Sequence, residues 1–366
     1  MNFLFDLIPT LIVLGLLILI HEFGHFLACR LSKVRVEKFS IGFGPEIFHI
    51  QGKETRYAIS LFPLGGFVKP AGESISEIEG EIPQPGDYLA ASVWKRIFIV
   101  VAGVLMNYLL SFVLFVTIFL MGRPMPLAQV GGFVEGYPAE SSGLAKGDRV
   151  LSLNGMPVHS WEDMIEALSQ VLSPEAELGI ERENKLTVVR VPIKVESVKD
   201  VFGKTHQIPR IGILPDRTAF EIERLSFFPA VKEAAITEVH LAAMTYKALF
   251  YLAAGRLSLK TISGPIGIMT MTGAAAKMGI VYLLHLMAVL GISLAVINLM
   301  PIPALDGGHL VFLLIEAVQR RRVSLEFQER ATQVGFGLLM LLMVFVIYND
   351  LVNLNILSKI KSALGQ

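Results

Sequence analysis

The stretch LIVLGLLILIHEFGHFLACRL, from Leu11 to Leu31, restricts this chain more than any other. It is an apolar run of the kind that crosses a bilayer, yet it carries His21, Glu22 and His25. Ionisable side chains are costly inside a membrane, so those that occur there usually serve function. On a helix His21 and His25 lie one turn apart on the same face, and their rings can converge on one metal ion. Glu22 lies beside them and can hold a water next to that metal. This is the H-E-x-x-H pattern of zinc hydrolases, with two imidazole ligands and a carboxylate base. On an ordinary surface helix such a pattern can be accidental; the lipid-compatible surroundings argue against that here.

Composition supports the membrane reading. Hydrophobic residues make up 53% and charged residues 17%, with a mean hydropathy of +0.59. The formal net charge is zero and no basic block occurs, which gives nucleic acid no footing as a partner. Cys29 is the only cysteine, so an intrachain disulfide and a cysteine-based zinc site are both excluded. The first apolar run has no basic residues before it and continues through the metal motif, unlike a cleaved signal peptide.

The chain divides by hydropathy and charge. Residues 1–32 hold the first transmembrane helix. Arg30, Lys33, Arg35 and Lys38 follow it and only Asp6 is charged before it, which places the N-terminus outside and the next loop in the cytoplasm. Residues 33–93 are rich in β-formers, Gly and Pro and read as membrane-associated hairpins on the cytoplasmic side. Within them TRYAISLF is expected to be an edge strand near the site, and the acidic segment Glu73–Asp87 a mobile loop. Trp94, Lys95 and Arg96 form an interfacial anchor for a second span in residues 94–122. Asn107 inside that span reads as a hydrogen-bond partner facing the bundle.

Residues 126–215 are a water-soluble insert. A short helix around Ala139–Gly143, a turn at Gly147–Asp148, a hairpin turn at Asn154–Gly155 and an amphipathic helix from about Ser160 to Val171 are expected in it. The pattern resembles a PDZ domain, which binds chain ends or extended peptides by strand addition. Residues 225–279 read as an amphipathic helix, Leu225–Ala254, and a Gly-rich connector, Gly255–Gly279. A third span occupies 280–318. It is interrupted by NLMPIPALDGG, where Pro301, Pro303 and the Gly307–Gly308 pair break the helix around Asp306. Broken backbone at this depth must be buried in protein or line a wet cavity. Arg320, Arg321 and Arg322 mark the cytoplasmic side, so Asp306 falls at the same depth as His21 and His25. A fourth span in 331–350 returns the C-terminus to the exterior. The fold expected is a polytopic α-helical membrane protein of about four spans, with a β-hairpin region and one inserted PDZ-like α+β domain.

A catalytic zinc normally takes three protein ligands, and the first helix supplies two. Candidates for the third are Asp306, His309, His285 and Glu316. Asp306 is favoured because it sits in the broken segment, and His309 is its rival. His285 lies toward the opposite face and reads as a packed histidine; Glu316 reads as an interfacial charge.

HEFGH at 21–25, NLMPIPALDGG at 298–308 and the PDZ-like insert together resemble the site-2 protease family, in its bacterial regulator of sigma-E protease type. The resemblance covers nearly the whole chain. It implies an intramembrane zinc endopeptidase that cuts in or near transmembrane segments, with anti-sigma factors and signal-peptide remnants as substrate classes. It further implies Zn2+ held by His21, His25 and Asp306, with Glu22 as general base. Asn298, Pro301 and Pro303 match a family segment that contacts substrate. The hairpin from Tyr57 to Lys69, with Tyr57, Ile59, Leu61, Gly65, Gly66 and Phe67, matches the β region credited with substrate binding. The implied partners are single-span membrane proteins already trimmed outside, a peptide or chain end at the PDZ-like domain, and the bilayer of a bacterial inner membrane. The chain has room for one PDZ domain where many relatives of this type carry two. The competing reading is a non-proteolytic scaffold that recruits partners through the PDZ-like insert, and metal content separates the two.

Overall fold

Helix α1, Phe3–Leu31, carries the metal motif as one uninterrupted helix, despite Pro9 near its start. The computed structural model describes residues 3–73, 83–199, 205–258 and 262–353. The central part of the acidic segment expected as a loop, residues 74–82, lies outside them, as do part of the Gly-rich connector and the chain beyond residue 353. The chain forms two compact units: one of residues 1–118, 227–250 and 258–366, the other of 119–226 and 251–257.

In the first unit, β1 (Val36–Gln51) and β2 (Arg56–Pro70) follow α1 and pair in more than one register at once. Phe39 lies opposite Val68 on one side and Tyr57 on the other; Tyr57 also faces Ile50, and Ile59 faces both Ile41 and Phe48. TRYAISLF is therefore an interior segment of this sheet. The segment Gly66–Lys69 has a partner on one side only and takes the edge position expected for TRYAISLF. The reason is chain reversal within β1 and β2 themselves: each strand folds back, and propensity alone cannot say which of four β-forming segments ends outermost. Helix α2, Val93–Met121, then packs on α1 through two glycines. A Cβ at Gly24 would strike the Ala102 carbonyl, and one at Gly103 would strike the His25 ring.

The second unit contains β3 (Arg123–Pro126), β4 (Val130–Phe133), β5 (Arg149–Leu153), β6 (Met156–Pro157), helix α3 (Trp161–Ser169) and β7 (Glu175–Arg182). It continues with β8 (Lys185–Pro192), β9 (Lys194–Lys199), β10 (Thr205–Arg210), β11 (Ile213–Pro215) and β12 (Phe220–Glu223). A four-stranded sheet of order β6-β5-β7-β8 packs with α3 around Leu153, Met164, Leu178, Ile180 and Val191. The hairpin turn at Asn154–Gly155 forms as expected, with both residues at positive φ. Ser160 caps α3 through a box with Asp163. The short helix expected around Ala139–Gly143 is a run of turns, held by Ser142 bonding back to Pro138. Asp148 is buried against the Arg182 guanidinium. Burial alone would raise its pKa, but the Arg182 hydrogen bonds and the Ala145 amide carry it below the usual carboxylate value.

Chain order returns to the first unit with α4 (Phe227–Ala253), α5 (Pro265–Met278), α6 (Ile280–Asn298), α7 (Asp306–Gln319) and α8 (Leu325–Asn353). Helix α5 lies within the stretch expected to be a Gly-rich connector. Its Gly and Thr content gives weak helix propensity, but Pro265 starts it, and Asp350 of α8 accepts hydrogen bonds from the Gly264 and Gly267 amides at its N-terminus. Among the described residues, four helices, within α1, α2, α6 and α8, are long and apolar enough to cross a membrane, which makes this a multi-pass membrane protein. The fourth of them, α8, begins at Leu325, ahead of the apolar stretch 331–350 expected as a span.

Candidate active site

The site is built where the C-terminal half of α1 meets the break between α6 and α7. After Asn298 the chain leaves helical geometry until Asp306, with Ala304 at φ +103. Gly307 and Gly308 let the start of α7 lie directly on the carbonyls of Met300 and Ile302, where any side chain would clash. This tight fold fixes Asp306 at the first position of α7 and turns it toward α1.

His21 Nε2 and His25 Nε2 are 3.2 Å apart, and Asp306 Oδ2 lies 3.1 Å from the first and 3.5 Å from the second. The three ligand atoms fall within 4.8 Å of one another and form a candidate metal site. His309, His285 and Glu316 are not part of that cluster. His309 lines the same cavity and packs on Phe312. His285 packs edge-on against Phe115. Glu316 pairs with Arg96, a buried member of the expected interfacial anchor.

The residues fit a divalent cation. His25 Nδ1 donates to the Ile99 carbonyl at 2.9 Å, which leaves Nε2 with a lone pair aimed at His21 and Asp306. Asp306 Oδ2 is buried and satisfies no hydrogen-bond geometry among the described residues. Lone pairs and a carboxylate oxygen converging on one buried point are unfavourable unless a cation lies between them. Two imidazole nitrogens and one carboxylate oxygen, with room for a fourth ligand, are a donor set suited to catalytic zinc.

Glu22 is half-buried next to the cluster and accepts a hydrogen bond from the Val68 amide. The edge segment comes close here: a Cβ on Gly66 would sit 3.2 Å from Glu22 Cγ. Phe67 lines the cavity and stacks on Phe43. Tyr57 packs instead against Phe26 and Phe39, while Ile59 and Leu61 are exposed on the inner strand. Asn298 Nδ2 lies 3.4 Å from His21 Nε2, so its amide borders the ligand cluster. Pro301 and Pro303 belong to the break, and Pro303 lies against Gly335 of α8. A cavity of about 570 Å³ joins His21, Glu22, His25, Asp306 and Phe67 to a polar rim of Arg96, Glu316, Arg322, Gln328 and Glu329. Nothing local in the sequence links Arg96 to Glu316, 220 residues away, so their ion pair is visible only in the fold.

The chain is similar along its length to known proteins. A protein of Rhizobium meliloti named as a zinc metalloprotease is 36% identical over 94% of this chain and 96% of its own length. One of Clostridium acetobutylicum with the same designation is 33% identical over 95% and 98%. The regulator of sigma-W protease RasP of Bacillus subtilis is 30% identical over 95% and 99%. Among solved structures, the PDZ domain of an SdrC-like protein of Listeria innocua covers 24% of this chain and 92% of its own, at 21% identity and a TM-score of 0.20. The profile of peptidase family M50 matches residues 9–342, and with relatives this similar over their full lengths the chain belongs to family M50, the site-2 proteases, as a zinc metalloprotease of the membrane.

Proposed function

We propose that the protein is an intramembrane endopeptidase that hydrolyses peptide bonds in or near transmembrane segments of membrane-anchored proteins. His21, His25 and Asp306 hold the zinc, and Glu22 is the general base. The observation that carries this reading is the convergence of the three ligand atoms beside Glu22, with both histidines on a helix of membrane-spanning character, in a cavity with a polar rim.

Zinc bound there supplies Lewis acidity toward a carbonyl oxygen and acidifies water. The Glu22 carboxylate takes the proton of the attacking water and passes it to the leaving amine nitrogen. The Val68 amide holds that carboxylate in place. A transmembrane helix hides its own peptide bonds, so the substrate must unwind before cleavage. The one-sided segment Gly66–Lys69 can pair with the unwound chain as an added strand, and Phe67 and Asn298 flank it. Tyr57, Ile59 and Leu61 lie one strand further in, behind the Lys38–Ile41 segment that pairs with that edge; Pro301 and Pro303 shape the wall opposite. The charge pattern supports an active site near the cytoplasmic face of a bacterial inner membrane, with both termini and the PDZ-like insert outside. The insert takes a peptide or chain end, and the substrates are single-span proteins already shortened outside.

Glu22→Gln is the direct test. It keeps near-stoichiometric zinc and loses cleavage of a co-expressed single-span substrate by at least about 100-fold. Full cleavage by that variant rules the mechanism out, and a wild-type protein without zinc favours the scaffold instead.

A further inference from the structure

His21 presents a problem that His25 does not. With a cation between the rings, both Nε2 atoms must offer lone pairs, so each Nδ1 must carry a hydrogen and needs an acceptor. For His25 that acceptor is the Ile99 carbonyl. For His21 the neighbouring group is the Asn107 side chain on α2, fully buried, with its Nδ2 atom 3.4 Å from His21 Nδ1. In that orientation two donors face each other, and Asn107 Oδ1 is buried without a partner among the described residues.

Turning the Asn107 amide by half a rotation removes the donor–donor contact and gives Oδ1 a donor. The two ends of the amide are nearly identical in shape, so the turn needs no repacking. Oδ1 then faces His21 Nδ1–H, and the orphaned acceptor gains its donor. Nothing charged need move, and the ring is held from behind in the tautomer whose Nε2 faces His25 and Asp306.

We infer that Asn107 is the positioning residue for the first metal ligand, its side-chain oxygen accepting the His21 Nδ1–H and so fixing the Nε2 lone pair on the cation. The inference rests on the metal reading of the previous section. It gives a role to the one amide buried in the second span, which the sequence alone marked only as facing the bundle. Helix α2 thereby orients both histidines, with a backbone carbonyl for His25 and a side-chain carbonyl for His21. Such partners of ligating histidines typically change metal affinity 10- to 100-fold when lost.

The test is zinc affinity, measured on the full-length protein in detergent by competition with a chelator of known strength. Asn107→Leu keeps the shape and removes the acceptor, and weakens zinc binding about 10- to 100-fold. Asn107→Asp keeps an oxygen toward Nδ1 and retains at least wild-type affinity. Thermal unfolding in chelator reports whether each variant is folded before metal is added. If Asn107→Leu does not fold, Asn107→Ala takes its place. Wild-type affinity in the Leu or Ala variant overturns the inference, as does an Asp variant as weak as Leu. Absence of zinc from the wild-type protein overturns the metal centre itself, which is a separate outcome.

Discussion

Arg96 and Glu316, 220 residues apart in sequence, form a two-pronged ion pair between the first turn of α2 and the last turn of α7. Their side chains are 5% and 13% exposed. The pair ties the helix that orients the histidines to the helix that begins with Asp306, and Arg322 adds a contact to the same carboxylate at 3.7 Å. The geometry of the cluster thus depends on a charge pair at the rim of its cavity.

Loss of Glu316 leaves the buried Arg96 guanidinium without its counter-charge. Glu316→Leu alone is expected to destabilise the protein by about 3–5 kcal/mol, whereas Glu316→Leu combined with Arg96→Leu returns close to wild type. Thermal unfolding in detergent distinguishes the cases. A double variant as unstable as the single one would mean that the pair is not the source of the effect.

Gly103 is where α2 passes behind His25. A methyl group there meets the imidazole itself, so Gly103→Ala must push the ring off the Ile99 carbonyl or part the two helices. Overpacking of this kind costs about 1–3 kcal/mol. The expected result is a moderate loss of thermal stability with a larger loss of bound zinc. Alanine at Gly337, whose surroundings are open, is the matched control and should change neither.

The Asp148–Arg182 pair makes the second unit sensitive to acid. The folded-state pKa of Asp148 is depressed, so the unfolded chain binds the proton more tightly. The pair's contribution is therefore complete above the unfolded value of 3.8 and is lost as pH falls through the lower folded value. Arg182→Met should remove that dependence and leave stability at pH 7 reduced. Trp161 lies against the core of this unit and reports its unfolding, once the exposed Trp94 is replaced by Phe. Identical acid transitions with and without Arg182 would rule out the assignment.

Much of this architecture was legible because membranes impose simple rules. Hydropathy gave four spans, charge counts put His21, His25 and Asp306 at one depth, and the Asn154–Gly155 turn and Ser160 cap gave parts of the insert. What was not legible depends on partners far away in the chain. Helix α5 forms from a weak helical sequence because Asp350 caps it across 86 residues. Gly66–Lys69 lies at an edge of the sheet and TRYAISLF in its interior because β1 and β2 double back. Arg96 read as a lipid anchor because its counter-charge lies on another helix.

The third ligand was the point that spacing left open, since Asp306 and His309 lie three residues apart and both fall in a plausible place. The fold separates them by position. Asp306 is the first residue of α7, placed by the break so that Oδ2 reaches both imidazoles, whereas His309 packs on Phe312 and is outside the ligand cluster. Asp306→Ala removes an anionic donor and leaves two imidazoles, too few for a catalytic zinc site. It should abolish stoichiometric zinc, measured by mass spectrometry after desalting. His309→Ala should keep zinc near one per chain, and any loss of activity in it would come from the cavity wall rather than the metal. Retention of zinc by Asp306→Ala together with its loss in His309→Ala would reverse the assignment and require α7 to turn by most of a helical turn.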